Sequence, residues 1–170
     1  MTQPPTTRPS APRIVLPSAD LAVRPEWIDY NGHMNVGYYV IAFDQVTDIL
    51  FAELGLGPAY RARTGHTTYV VEAHITYDRE VKAGDPLRVV SQVIDADARR
   101  LHLFHRMTHA VEGHLVSTNE LMFLHIDSSG PRVAPWQEPV LSRLFALRDA
   151  HSTLPRPPQL GRVIGLTRRA

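Results

Sequence analysis

DYNGHMNVGYYVIAFDQVTDILFAEL, residues 29–54, is the stretch whose reading decides the fold. Its second part is periodic: Val36, Tyr39, Val40, Phe43, Val46, Leu50 and Leu54 recur at steps of three and four, the spacing of one helix face. Asp44, Gln45, Asp48 and Glu53 fall mostly on the other side. Gly55, Gly57 and Pro58 supply the stop. The spacing therefore predicts a helix over 36–54, about five turns long and able to cross a whole sheet. Its first part, Asp29 to Asn35, packs a carboxylate, two side-chain amides and an imidazole into seven residues. Gly32 gives that loop backbone freedom, and Asn35 is a good N-cap for the helix that follows. A polar loop emptying into a helix N-terminus suits a catalytic group acting beside a developing oxyanion.

Downstream the period changes to two. Thr67 to Tyr77 is rich in β-branched and aromatic residues, and Tyr69, Val71, Ala73, Ile75 and Tyr77 alternate onto one expected face. Gly84-Asp85-Pro86 is turn chemistry. Leu87–Ile94, Leu101–His109 and Leu115–Ile126 then read as three further strands, separated by turns at Asp95–Arg99 and Glu112-Gly113. Leu21–Arg24 is a short strand candidate ahead of the helix, and Arg61, Arg63 and Gly65 lie in an expected polar link behind it. The fold class is α+β: a five-stranded antiparallel sheet wrapped around one long central helix, the helix alone covering the apolar sheet face. The outer sheet face is then free to pair with another subunit.

Residues 1–19 hold five of the fourteen prolines and read as a disordered or loosely docked arm. Residues 20–127 form the folded domain. Residues 128–170 add a short helix over Pro139–His151, with Val140, Leu141, Leu144 and Leu147 on one face, and an extended tail packing on the same domain.

Composition narrows the function. A chain of 170 residues is one ordinary domain. Its 44% apolar and 21% charged residues are those of a globular protein. A net charge of +1 argues against a nucleic-acid partner. Seventeen of eighteen basic residues are arginine, a bias that reads as genomic composition. The absence of cysteine excludes thiolate catalysis and disulfides. No apolar run is long enough for a membrane-spanning helix, and the N-terminus lacks the pattern of a secretory signal, so a cytoplasmic location is expected. The histidines do not form a metal site: His102 and His105 face opposite ways on a strand, and His105 and His109 sit about 13 Å apart.

At Asp29-Tyr30-Asn31-Gly32-His33-Met34-Asn35 the chain resembles the hotdog-fold thioesterases of the 4-hydroxybenzoyl-CoA thioesterase-like group, whose D-x-N-x-H-x-N pattern is shared with plant acyl-ACP thioesterases. Several stretches look closer still to the betainyl-CoA thioesterases of carnitine catabolism. These are Pro25–Ile28, Val71–Glu80, Arg100–Met107, His151–Pro155 and Gly161–Leu166. The resemblance implies a hotdog fold, a homodimer or homotetramer with active sites at subunit interfaces, and hydrolysis of an acyl-CoA without metal or prosthetic group. In that subgroup the products are glycine betaine and CoA. Other readings are hydrolysis of another short-chain or aromatic acyl-CoA, and a non-catalytic acyl-CoA-binding protein.

Within that frame Asp29 is the candidate general base or nucleophile. Asn31 and His33 are its orienters, His33 with a possible part in proton transfer. Backbone N–H groups of Gly37 and Tyr38 are candidate oxyanion donors. A betainyl cation requires aromatic faces or a carboxylate. Trp27 leads those candidates, with Tyr30 and Glu72 beside it, and Tyr38 and Tyr39 also flank the motif. Glu80 lies near the position of a strand glutamate that contributes in the acyl-ACP relatives.

Overall fold

The computed structural model describes residues 17–166. The greater part of the expected N-terminal arm, and the last four residues of the expected tail, lie outside the described residues. Six strands and three α-helices follow in chain order: β1 (Ser18–Ala22), α1 (Val36–Leu54), α2 (Pro58–Thr64), β2 (His66–Tyr77), β3 (Pro86–Ala96), β4 (Arg100–His109), β5 (Leu115–Asp127), β6 (Arg132–Val133) and α3 (Val140–His151). The strands form one antiparallel sheet in the order β1-β3-β4-β5-β2, with β6 paired to the end of β5. Helix α1 has the limits that its periodicity predicts, and the sheet with this helix against its apolar face is the hotdog arrangement.

Several elements depart from expectation, among them the two-residue β6, a sixth strand where five were expected. The first strand starts at Ser18, not Leu21, so two residues assigned to the arm belong to the sheet. Its exposed edge carries polar Ser18 and Asp20, which mask the pattern; Asp20 takes two hydrogen bonds from Arg88 on β3, at 2.7 and 3.0 Å. The expected polar link contains helix α2, too short for a period to show. Buried Tyr60 anchors it, its hydroxyl 2.9 Å from His125 Nε2. In β2, Val70 pairs with Phe123 and Glu72 with Met122, consecutive residues of β5, so Val71 is an extra residue in a β-bulge. Tyr69 opposes Leu124 while Ala73 opposes Leu121. Those partners are three apart and face opposite ways, so Tyr69 does not share the face of Ala73, Ile75 and Tyr77.

The core is divided. One cluster joins the first half of α1 (Tyr39, Phe43, Val46) to Trp27, Met34, Leu87 and Met107. The other joins its second half (Leu50, Phe51, Leu54) to Tyr60, Leu101, Phe123, Trp136, Val140 and Leu144. Helix α3 thus shares with α1 the covering of the sheet, which was expected of α1 alone. Arg143 fastens α3 to the carbonyl of Leu54 at 3.0 Å. Beyond α3 the tail crosses the outer sheet face, where Gly161 N–H donates to Glu120 Oε2 at 2.7 Å and Glu120 Oε1 meets His102. The tail therefore occupies part of the face expected to be free.

Between the two clusters sits a polar layer centred on His105, which is fully buried. Thr47 donates its hydroxyl proton to Phe43 O at 2.9 Å, so toward His105 Nε2, 3.0 Å away, it accepts. Nδ1 is then the bare nitrogen and accepts from Ser91 Oγ at 2.9 Å. Both ring nitrogens are satisfied in the neutral tautomer, and burial pushes the imidazole down from 6.5 to about 3. The unfolded chain binds a proton here near pH 6.5 and the folded chain does not. Stability is therefore full above that pH and falls as pH drops toward 3, by about 1.4 kcal/mol per pH unit for one such group. Burial also lowers His125 and His151. Urea titrations between pH 6.5 and 4 are expected to show this acid limb, and His105→Gln is expected to lower its slope by roughly one proton.

Candidate active site

The motif loop is a tight hairpin. Asn35 N–H donates to Trp27 O at 2.9 Å, Ile28 bridges Met34, and Asp29 N–H donates to His33 O at 2.9 Å. The chain reverses through a turn closed by Gly32 N–H to Asp29 O at 3.0 Å, with Gly32 at φ +80°. That backbone conformation favours glycine. Met34 N–H donates to Val81 O at 2.9 Å, which fastens the hairpin to the segment leaving β2. Asp29, His33 and Glu80 are thereby brought together from two separate parts of the chain.

The Asp29 carboxylate is oriented by its own loop. Asn31 N–H donates to Oδ1 at 2.8 Å, while Oδ2 has no hydrogen bond to the described residues. One oxygen is pinned and the other is available to a reactant. His33 Nε2 lies 3.2 Å from Glu80 Oε2. Asp29, Asn31, His33 and Glu80 line an open cavity of about 570 Å³, together with Met34, Val36, Tyr39 and Tyr77. Tyr39 and Tyr77 meet edge to face, with centroids 5.2 Å apart and planes at 83°. Burial raises the Tyr39 phenol, and the neighbouring charges of Glu80, Tyr77 and Asp29 raise it further. Burial likewise raises Tyr77, so both are neutral phenols at ordinary pH.

Other expected site residues lie elsewhere. Trp27 is 3% exposed, stacked on Tyr38 at 5.8 Å with the Arg24 guanidinium over its ring, and does not line the cavity. Tyr30 is 96% exposed at the hairpin tip. Glu72 pairs with Met122 and lines a small pocket with His74, His102 and Glu120 on the outer sheet face, opposite the face that carries the helix. The amides expected to hold an oxyanion are engaged by the helix cap: Gly37 N–H donates to Asn35 Oδ1 and Tyr38 N–H to Asn35 O, both at 3.0 Å. The Val36 amide, one residue earlier and on a residue that lines the cavity, has no hydrogen bond to the described residues. Tyr77 is a cavity residue that the sequence does not reveal, because its approach to Tyr39 is a tertiary contact. Tyr39 itself is core by period, yet it also lines the cavity.

Residues 23–144 match the family model described as the thioesterase-like superfamily, and the chain belongs to that family. It is 40% identical over 152 residues to the betainyl-CoA thioesterase of Pseudomonas aeruginosa, covering 89% of this chain and 96% of that one. It is 34% identical over 149 residues to the L-carnitine dehydrogenase/betainyl-CoA thioesterase of Rhizobium meliloti, where it spans 88% of its own length and 30% of the relative's. Among solved structures, a Staphylococcus aureus protein in complex with CoA superposes with a TM-score of 0.85 at 31% identity, covering 90% of this chain and 96% of that one.

Among the described residues no cluster of three His, Asp or Glu side chains is placed to hold a metal ion, and no helix is long and apolar enough to cross a membrane. Asn35 acts as the N-cap, so Asn35→Ala is expected to cost about 1 kcal/mol in urea denaturation, with Asn35→Asp or Ser restoring most of it.

Proposed function

We propose that this chain is an acyl-CoA thioesterase that hydrolyses betainyl-CoA to glycine betaine and CoA in carnitine breakdown. The observation that carries the proposal is the half-pinned Asp29 carboxylate, held in an open cavity at the N-terminus of α1. The likeness to the Pseudomonas aeruginosa betainyl-CoA thioesterase supports the acyl group.

The thioester carbonyl carbon faces Asp29 Oδ2. In one route that oxygen removes a proton from an attacking water; in the other it attacks directly, and water then hydrolyses the mixed anhydride. In both, the tetrahedral oxyanion faces the positive end of α1, where no acidic side chain occupies the first turn. Collapse expels the CoA thiolate, which takes up a proton. His33, held by Glu80, is the imidazole within reach of that transfer. Carboxylate, imidazole and water account for every proton, so no metal or prosthetic group enters the scheme. A CoA ester as substrate assigns the reaction to the cytoplasm.

The active form is a homodimer or a dimer of dimers. Strand β2 is a sheet edge, and along it Tyr69, Val70 and Val71 are about half exposed; Val36, Val40 and Ile41 of α1 are similarly wet. An unpaired edge with exposed apolar side chains is a template for a second copy, and such pairing would wall the open side of the cavity.

Thiol release should be seen with betainyl-CoA, and its absence with every acyl-CoA in a panel would reject the enzyme. Asp29→Asn should reduce turnover by at least a thousandfold with an unchanged melting temperature; turnover near the native rate would remove Asp29 from the mechanism. Light scattering should give a multiple of the chain mass, and Val71→Lys should shift it toward the monomer.

A further inference from the structure

The acyl group of the proposed substrate constrains where it can be recognised. A trimethylammonium nitrogen has no N–H to donate and no lone pair to accept with, so only aromatic faces and carboxylates stabilise it. In a betainyl thioester this nitrogen is two bonds from the carbonyl carbon. Its methyl groups therefore lie within about 5 Å of the reacting atom, and the residues that hold them must share the Asp29 cavity.

That condition removes the aromatic residues suggested by proximity in sequence. Trp27 and Tyr38 pack on each other, Trp27 is already covered by a guanidinium, and Tyr30 points away at the hairpin tip. Glu72 is on the other side of the sheet. Two aromatic residues do line the cavity, Tyr39 and Tyr77, and their planes stand at 83°. Rings at that angle make two walls of a corner. The same cavity holds the carboxylates of Asp29 and Glu80 against a single imidazole, so it favours a cation.

We infer that the corner formed by Tyr39 and Tyr77, with the carboxylate of Glu80 beside it, is the quaternary-ammonium subsite that sets acyl specificity. This rests on the betainyl-CoA reading. Tyr39 is held by the core and Tyr77 is half exposed, so Tyr77 is the wall whose change leaves the core cluster in place. Both phenols stay neutral, raised by burial and, for Tyr39, by the adjacent acids. The selectivity therefore comes from ring faces and the carboxylate, without a phenolate.

The test uses two substrates of one shape, betainyl-CoA and 3,3-dimethylbutanoyl-CoA, in which carbon replaces the quaternary nitrogen. The readout is the ratio of their kcat/KM values on the full chain. The native ratio should favour the cation by tenfold or more, and Tyr77→Leu should lower the ratio about tenfold. Tyr77→Phe, which keeps the ring and loses the hydroxyl, should leave the ratio near native. A native ratio near one would overturn the betainyl reading and this subsite with it. A native ratio well above one that Tyr77→Leu leaves unchanged would overturn the subsite alone. A ratio in Tyr77→Phe as low as in Tyr77→Leu would do the same, by assigning the effect to the hydroxyl.

Discussion

The position of the site depends on one backbone hydrogen bond, from Met34 N–H to Val81 O. Without it the Asp29–Asn35 hairpin has no backbone hydrogen bond to the segment leaving β2. With it, the hairpin is fixed to the segment that continues β2, and so to the sheet. Glu80, one residue before Val81, is then brought within 3.2 Å of His33 by backbone geometry rather than by attraction between exposed side chains. Exposed pairs alone hold little, typically under about 1 kcal/mol. The bond is well protected: Met34 and Val81 are both buried, in the cluster that contains the first half of α1.

The polar layer inside the core gives α1 its register over the sheet. Sliding the helix by one residue would separate Thr47 from His105 and leave a buried imidazole nitrogen without a partner. Such an orphaned group costs on the order of 1–3 kcal/mol. The apolar clusters on either side are more tolerant, since side chains of similar volume repack. The helix is thus bound by burial and indexed by hydrogen bonds. Its N-terminus, with the Asn35 cap, is held at a defined distance from the hairpin.

What was legible in the sequence was periodicity and local chemistry. Helix α1 was found to the residue because both its ends carry chemical stops. The hairpin was read as a polar loop before a cap, and Asp29, Asn31, His33 and Glu80 do share a cavity. Contacts fixed by three-dimensional packing were not legible. Val71 looks like any other strand valine, so the alternation from Tyr69 to Tyr77 was carried through a bulge that breaks it. Trp27 is close in sequence to Asp29, but a residue two positions away in a hairpin can point into the core, as Trp27 does. Gly37 and Tyr38 lie in the first helical turn, where the cap itself consumes their amides.

The bulge at Val71 makes β2 two strands in one. The segment before it matches Thr68 and Val70 to the cavity beside Tyr60, and the segment after it matches Tyr77 to Tyr39. The two halves are out of phase by one residue, so their faces are set independently. A deletion of Val71 would remove the bulge and leave both halves of the strand with the partners and faces they now have. In a lineage of such proteins, gain or loss of this one residue would change the bend and twist of the strand while leaving the lining of both pockets in place.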